Sequence, residues 1–281
     1  MGPVRVRRVR LQIPQRGADF GRRYRDRVHF AAMLDPTVQA LAFSAEIRCI
    51  TFDLDDTLWP VMPAIHRAEA RFYEWLRVHA PEVCAAYSPE ALIEARGAFI
   101  RSAPASERHD LTRLRKRWLR GIAEETGACP QRVSSEGFEV FWIARNEVDP
   151  DPEAASVLEL LSQHFRLGAI SNGNADVFRT PLGRYFDFAV PAAEAGVAKP
   201  DPTIFQLAAQ RAGVPAESIL HIGDDPLCDV VGARNAGYRA GWFNPRTTAW
   251  PHEEPGPELT FGRLGQIPIR LGLIKPAPLR P

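Results

Sequence analysis

The sequence predicts an α/β protein: a doubly wound parallel sheet that carries an inserted, all-helical cap domain. Short apolar, β-branched runs alternate with amphipathic helical stretches over the second half of the chain, the order typical of a parallel sheet. One long stretch after the first strand has helical periodicity and no strand pattern. Acidic clusters follow two of the predicted strands, and in such a sheet the strand ends open on one crevice. We therefore expect a ligand site at that edge, covered by the helical insertion.

The first predicted strand, residues 47–52, is the element around which the chain is organised. It ends abruptly at three carboxylates, Asp53, Asp55 and Asp56. Because side chains alternate along an extended chain, Asp53 and Asp55 point the same way, and their like charges repel each other. A divalent cation removes that repulsion, and carboxylate oxygens on a rigid strand end suit Mg²⁺. Taken alone, the pattern is equally typical of an acidic loop that ends a strand.

Residues 63–148 are predicted to form the cap domain. Four amphipathic helices are expected there, at residues 64–79, from Ser88 onwards, at 107–126 and at 131–147. Ser88 is suited to be an N-cap, and Gly127 is suited to end the third helix. Hinges to the sheet domain are expected near residues 60–63 and 148–152.

The alternating pattern of the sheet domain returns after the cap. Helices are expected at residues 152–164, 176–185, 201–212 and 229–236. Strands are expected at residues 166–170, 188–190, 219–222 and 239–243. The sheet domain therefore comprises residues 47–62 and 149–262. We expect the arginine-rich extension at 1–46 to be disordered, and residues 263–281 to form a C-terminal segment with a proline-rich tail.

Three later stretches place further polar groups at the same edge of the predicted sheet. In chain order, these groups are Ser171, Asn172, Gly173, Lys199, Asp224 and Asp229. Taken singly, each stretch is more typical of a turn, a loop or a helix cap. Lys199 is one of only three lysines in the chain, so a lysine-rich composition does not explain its position. It is the combination that predicts a functional site.

The four motifs, complete and in this order, resemble those of the haloacid dehalogenase (HAD) superfamily. The resemblance covers roughly residues 47–262. It is closest to subfamily IA, whose members carry a helical C1 cap after the first motif on a Rossmannoid core. The resemblance implies a phosphatase that uses Mg²⁺ and hydrolyses a small-molecule phosphate monoester through an aspartyl-phosphate. Within the superfamily, ITFDLDDTLW, ISNGN and HIGDD look most like bacterial phosphatases acting on FMN or on the aminopyrimidine phosphate of riboflavin synthesis.

Phosphoryl transfer needs in-line attack and neutralisation of charge, and the first motif can supply the reacting groups. Asp53 is assigned as the nucleophile, and Asp55 as general acid to the leaving alcohol and then as base for water. Mg²⁺ would be bound by Asp53, by Asp224 and, as the resemblance implies, by the backbone carbonyl of Asp55. Thr57 would order the turn after the strand through a hydrogen bond.

The remaining motif residues are assigned to the phosphoryl group. Ser171 and the backbone N–H groups of Asn172 and Gly173 would hold its oxygens, since glycine lets backbone approach an anion closely. Lys199 would stabilise the phosphoryl group as a point charge. Asp229 would orient Lys199 or a metal-bound water.

Other polar residues have weaker patterns. His109 and Arg115 are candidates for substrate specificity, because in capped members of the family this helix can face the substrate. The basic side of that helix, which we interpret as a solvated face, comprises Arg113, Arg115, Lys116, Arg117 and Arg120. Asp225 is interpreted as a turn residue and His221 as a buried core histidine.

The composition narrows the partners and the compartment. A net charge of +1 gives no support to nucleic-acid binding, and no apolar run is long enough to cross a bilayer. Four scattered cysteines fit a reducing cytoplasm better than a disulfide framework or a zinc site. We expect a cytoplasmic monomer or homodimer whose partner is a small phosphate ester. Two alternatives remain: a 2-haloacid dehalogenase, which needs the nucleophile but no metal, and a non-catalytic HAD-like interaction module.

Overall fold

A six-stranded, fully parallel sheet forms the centre of the protein in a computed structural model that describes residues 46–274. The strands are β1 (Cys49–Phe52), β2 (Arg166–Ser171), β3 (Phe188–Pro191), β4 (Ile219–Gly223), β5 (Arg239–Phe243) and β6 (Leu259–Phe261). Their order across the sheet is β3-β2-β1-β4-β5-β6. The predicted doubly wound parallel sheet is therefore confirmed. The arginine-rich extension and the proline-rich tail lie outside the described residues, apart from Glu46.

β1 lies at the middle of the sheet because its residues are apolar enough to be covered on both faces. All of Cys49–Phe52 is buried, and the strand pairs with β2 on one side and with β4 on the other. The chain leaves β1 in one direction across the sheet for β2 and β3, and in the other for β4, β5 and β6. This reversal is the topological switch point at which open α/β sheets bind ligands.

Helices cover both faces of the sheet. On one face lie α7 (Ala154–Ser162) and α11 (Gln266–Arg270), which pack in the apolar cluster that includes Leu158 and Phe52. On the other face lie α9 (Pro202–Ala212) and α10 (Gly232–Asn235), packed in a second cluster that includes Phe205. A short helix, α8 (Ala192–Ala195), follows β3.

The helical insertion has a core of its own. Its helices are α1 (Val61–His79), α2 (Pro81–Ala86), α3 (Pro89–Ser102), α4 (Leu111–Thr126), α5 (Pro130–Arg132) and α6 (Phe138–Arg145), with a π-helical turn at Val133–Gly137 between the last two. Phe72, Leu76, Trp118 and Phe141 are buried together in this core. The apolar residues of the insertion therefore form a cluster separate from those of the sheet.

Local signals set most helix ends, but several bounds differ from the prediction: the helix expected at 131–147 is interrupted by the π-helical turn, and residues 176–185 form only two 3₁₀ turns, Val177–Arg179 and Gly183–Tyr185. Ser88 accepts a hydrogen bond from Ala91 N as the predicted N-cap, and Gly127 ends α4 with φ +78°. α4 begins at Leu111 and not at residue 107, because the Asp110 side chain accepts from Arg113 N and caps the helix there.

The helix predicted at 229–236 also begins earlier. Its first part is a π-helical segment, Pro226–Val231, because the Asp225 side chain accepts hydrogen bonds from the N–H groups of Leu227 and Cys228. Asp225 is thus structural, as predicted, while Asp229 lies within the helical segment. The helices α2, α8 and α11 and strand β6 were not predicted. Over the described part of the chain, we find no helix with the length and apolarity that a membrane span requires.

Candidate active site

The polar motif residues meet at the carboxyl ends of β1, β2 and β4, which are neighbours in the sheet. Asp53 directly follows β1, Ser171 ends β2 and Asp224 directly follows β4. The register explains their proximity, because Phe52 of β1 pairs with both Ala169 and Ile222. The strand pattern of the sequence therefore brings together residues that lie more than a hundred positions apart.

The Lys199 ammonium is buried in this cluster, and hydrogen bonds hold it in place. Its side chain is 2% exposed, and its ammonium donates to Asp53 Oδ1 at 2.6 Å and to Asp229 Oδ1 at 2.7 Å. The third hydrogen bond goes to the carbonyl oxygen of Ile170 at 2.8 Å. Three donors thus have three acceptors, which is the complete capacity of an ammonium group.

The pKa values of the two carboxylates that contact Lys199 are shifted in opposite directions. Burial raises the pKa of Asp53 well above its usual range, because it outweighs the attraction of Lys199 and acts together with repulsion from Asp229. Burial also opposes ionisation of Asp229, yet the charge of Lys199 and the hydrogen bond with His221 hold the pKa of Asp229 far below its usual range. Asp229 is therefore the permanent counter-ion of Lys199, whereas the buried surroundings of Asp53 oppose its ionisation.

His221 extends this chain of contacts into the sheet. It is fully buried on β4, as predicted, and its Nε2 lies 3.2 Å from Asp229 Oδ1. Its Nδ1 lies 2.9 Å from the Thr51 hydroxyl on β1. Burial lowers the pKa of His221, so the ring is neutral and acts as a hydrogen-bonding support for Asp229.

The carboxylates suit a hard divalent cation. Oxygens of Asp53, Asp224 and Asp229 lie within 4.8 Å of one another. Asp229 is already engaged by Lys199, so Asp53 and Asp224 are the residues that fit the predicted Mg²⁺. Thr57 donates to Asp224 Oδ1 at 3.0 Å and fixes that carboxylate, and burial raises the pKa of Asp224 to about 6.

The predicted phosphate loop, Ser171–Gly173, is tied to the lysine loop. Asn172 Oδ1 accepts from Lys199 N at 2.7 Å, and Asn172 Nδ2 donates to the Lys199 carbonyl at 2.9 Å. The Gly173 N–H donates to Ser171 Oγ at 3.0 Å. A Cβ at Gly173 would lie only 2.5 Å from Asp55 Oδ2, so the close approach of this loop to Asp55 requires glycine.

Asp55 is held by two donors, one of which comes from the cap. Trp59 Nε1 donates to Asp55 Oδ1 at 2.9 Å. Arg145, on α6, donates through Nη2 to Asp55 Oδ1 at 2.7 Å and to Oδ2 at 2.5 Å. Arg145 is a residue that the sequence analysis missed. The signal was present, because Arg145 continues the buried stripe of Phe138 and Phe141 at helical spacing, where a charge is unusual.

A crevice of about 770 Å³ lies between the helical insertion and the strand ends. Its sheet side includes Ser171 and Gly173. Its helical side is lined by Thr112, Lys116, Phe138, Glu139 and Trp142. The crevice therefore connects the predicted phosphate loop to helices α4 and α6.

The two predicted specificity residues lie elsewhere. Arg115 is 4% exposed, donates to Glu69 Oε2 at 2.7 Å and stacks on Phe141 with 3.3 Å between its Cζ and the ring centroid. The prediction that Arg115 belongs to a solvated face is therefore wrong: the residue points to the buried side of α4. Among the described residues, those lining the crevice include neither Arg115 nor the half-buried His109. The residues of α4 that line the crevice are Thr112 and Lys116.

Comparisons with known proteins agree with this geometry. The family model for haloacid dehalogenase-like hydrolases matches residues 47–237. The chain is 34% identical over 202 residues to the 5-amino-6-(5-phospho-D-ribitylamino)uracil phosphatase YigB of Escherichia coli, covering 71% of this chain and 84% of that protein. It is also 34% identical over 160 residues to the phosphoserine phosphatase of Thermus thermophilus, covering 55% of this chain and 64% of that protein.

Solved structures give the same fold. The crystal structure of 2-haloacid dehalogenase from Pseudomonas syringae pv. Tomato DC3000 matches with a TM-score of 0.74 and 41% identity, covering 81% of this chain and 99% of that one. The family model spans more than half of the chain, and the predicted motifs meet at one sheet edge. The chain belongs to the haloacid dehalogenase-like hydrolase family.

Proposed function

We propose that the protein is a Mg²⁺-dependent phosphatase that hydrolyses a small-molecule phosphate monoester through an aspartyl-phosphate. One observation carries this proposal: the Asp53 carboxylate lies between a buried ammonium, Lys199 Nζ at 2.6 Å, and a second carboxylate, Asp224, in a cluster that fits a divalent cation. That arrangement places a nucleophile where the charge of a phosphoryl group can be neutralised.

The first half of the reaction divides the work between two aspartates. A carboxylate oxygen of Asp53 attacks phosphorus, and the ester P–O bond breaks as the leaving oxygen takes a proton from Asp55. The products are an alcohol and an acyl phosphate on Asp53. In the second half, Asp55 takes a proton from water, the water oxygen attacks phosphorus and the Asp53–phosphorus bond breaks. Inorganic phosphate leaves, and both aspartates return to their starting states.

Other residues hold the phosphoryl group and its charge. Lys199 stabilises the phosphoryl oxygens and the aspartyl ester, and Asp229 keeps the lysine in place. Ser171 and the backbone N–H groups of the loop that it begins donate hydrogen bonds to the phosphoryl oxygens. Asp53 and Asp224 would hold Mg²⁺, which would supply Lewis-acid neutralisation of the phosphoryl charge.

A dehalogenase is the second candidate, favoured by the 41% identity to the 2-haloacid dehalogenase of Pseudomonas syringae. Displacement of a halide needs a carboxylate nucleophile, but a halide leaves as an anion and takes no proton. That reaction gives no role to a metal bound by Asp53 and Asp224, or to Asp55 as an acid. The carboxylate pair and its Thr57 support therefore favour the phosphatase.

For the substrate, we propose a phosphate ester with a planar ring, such as the aminopyrimidine phosphate of riboflavin synthesis or FMN. The similarity to YigB supports the first of these. The crevice supports the class, because the half-buried ring of Trp142 and the side chain of Lys116 line it. Its volume of about 770 Å³ is within the usual range for small-molecule sites.

The direct test compares two reactions on one preparation. Purified protein is assayed with para-nitrophenyl phosphate, with and without Mg²⁺, and with 2-chloropropionate for halide release. We expect Mg²⁺-dependent phosphate release and no halide release. Halide release without phosphate release would establish the dehalogenase instead, and neither activity would favour a non-catalytic module. A panel of phosphorylated metabolites would then rank ring-containing esters against phosphoserine.

A further inference from the structure

Arg145 combines deep burial with incomplete hydrogen bonding. Its side chain is 1% exposed, and only Nη2 has partners, both of them oxygens of Asp55. Nε and Nη1 are buried and have no partner among the described residues. A guanidinium has five N–H donors, so three of them are buried without an acceptor. Such a loss is costly for a charged group, and Arg145 is the one arginine of the described residues with two such nitrogens.

The position of the guanidinium indicates what it would bind. A Cβ at Gly173 would lie 3.5 Å from Arg145 Nη2 and 3.3 Å from Ser171 Oγ. Arg145 therefore lies beside the loop that is proposed to hold the phosphoryl oxygens. Among the ion pairs of the described residues, Arg145 is the one buried arginine of the cap that pairs with a motif aspartate. The other buried arginine of the cap, Arg115, pairs with Glu69. A planar cation with free N–H groups is matched to a tetrahedral oxyanion.

We propose that Arg145 is a substrate-binding residue supplied by the cap, and that its guanidinium binds an oxygen of the phosphate group when the ester enters. In this structure, the Asp55 carboxylate accepts the hydrogen bonds of the guanidinium. The incoming phosphate offers oxygens to the donors on Nε and Nη1, and the shared Nη2 contact with Asp55 is loosened. This inference rests on the phosphatase function proposed above and adds a contact from the helical insertion to the phosphate.

The contact also explains how substrate could close the cap over the sheet. The motif residues proposed to bind the phosphoryl group, Ser171 and Lys199, belong to the sheet domain. Arg145 ends α6, directly before the segment predicted as a hinge. A phosphate held by Ser171 and Arg145 together would join the two parts of the chain, and lids of this kind exclude water from the reacting group.

The test measures binding of inorganic phosphate, so that it does not depend on turnover. Isothermal titration in the presence of Mg²⁺ is carried out on wild type, Arg145→Gln, Arg145→Lys and Arg132→Gln. Arg132 is the matched control, a cap arginine in an exposed ion pair with Glu136. Loss of a charge-assisted hydrogen bond should weaken the phosphate Kd of Arg145→Gln by about 10- to 100-fold. Arg145→Lys should recover part of that loss, because lysine keeps the positive charge but lacks the planar set of N–H donors. The phosphate Kd of Arg132→Gln should equal that of wild type.

Steady-state kinetics on para-nitrophenyl phosphate give a second readout. A ground-state contact with the phosphate should appear mainly as a higher KM for Arg145→Gln. An Arg145→Gln protein whose phosphate Kd stays within about twofold of wild type would overturn the inference, because a charge-assisted contact is worth more than that. If Arg145→Gln does not fold, the same measurement is made on Arg145→Lys. A phosphate Kd of Arg145→Lys equal to that of wild type would then overturn the inference. Wild-type protein that neither binds phosphate nor hydrolyses the ester would refute the proposed function itself.

Discussion

The two carboxylates on Lys199 should respond very differently to the same substitution. Asp229→Asn removes the permanent counter-ion of a lysine that is 2% exposed, and it disturbs two further contacts, with Asp225 N at 2.9 Å and His221 Nε2 at 3.2 Å. The amide must turn its NH₂ group toward a donor on one side or the other. Asp53→Asn leaves Lys199 paired with Asp229, and it replaces a carboxylate whose ionisation burial opposes with a neutral amide.

The contacts set the size of the difference. Removing one partner of a buried ion pair costs about 3–5 kcal/mol, which we expect for Asp229→Asn. In a protein of this size, that loss lowers Tm by about 6–20 °C. For Asp53→Asn, an amide oxygen still accepts from Lys199, so the free energy of unfolding should stay within about 1 kcal/mol of wild type. The pKa of Asp229 is depressed, so its contribution is complete at neutral pH and is lost as pH falls below about 4.

Urea unfolding followed by circular dichroism, at neutral pH with a chelator present, measures both variants under the same conditions. Asp201→Asn is the matched control: Asp201 is an exposed N-cap that accepts from Thr203 N, and asparagine caps equally well. An Asp229→Asn protein that lost no more stability than Asp53→Asn would refute the asymmetry that we assign to the pair. A large loss in the control would mean that aspartate substitutions in general, and not this ion pair, determine the result.

Three further predictions follow from the geometry of the site. Asp55→Asn should slow turnover by about 10²–10⁴-fold, and more for alkyl phosphates than for para-nitrophenyl phosphate; equal losses would argue against a general acid. Because burial raises the pKa of Asp224 to about 6, Mg²⁺ affinity measured by titration should rise by up to about tenfold per pH unit as the pH increases toward 6; a flat profile would exclude Asp224 as a ligand. Lys116→Ala should change KM and the ranking of metabolite substrates more than turnover of para-nitrophenyl phosphate, whereas Arg115→Lys should lower stability and leave the ranking unchanged; the reverse would contradict the burial of Arg115.

The sheet and its polar edge were predictable because their signals are local. The run before Asp53 is apolar and short, and the residues of β5, Arg239–Phe243, match the predicted bounds without change. Asp201 and Ser88 sit at the ends of helices with the side chains that cap them. Parallel strands place their carboxyl ends together, so a local pattern at each strand end was enough to predict that Asp53 and Asp224 would meet.

Partnerships across the fold were not predictable in the same way. Arg115 and Lys116 are adjacent in sequence and identical in charge, yet one is buried against Phe141 and the other lines the crevice. The choice depends on Glu69, which lies on another helix and supplies the carboxylate that pairs with Arg115. Arg145 meets Asp55 from 90 positions away, and no spacing rule connects them. Charged residues on apolar stripes are the signal that such pairs leave in a sequence.

The central claim is that Asp53 carries the phosphoryl group during turnover. Protein mixed with para-nitrophenyl phosphate and Mg²⁺ is quenched with borohydride, which reduces an aspartyl-phosphate to homoserine, and its peptides are then sequenced by mass spectrometry. We predict homoserine at position 53, dependent on substrate and absent from Asp53→Asn. An active enzyme with an unmodified Asp53, or with the reduced residue at another aspartate, would contradict the account.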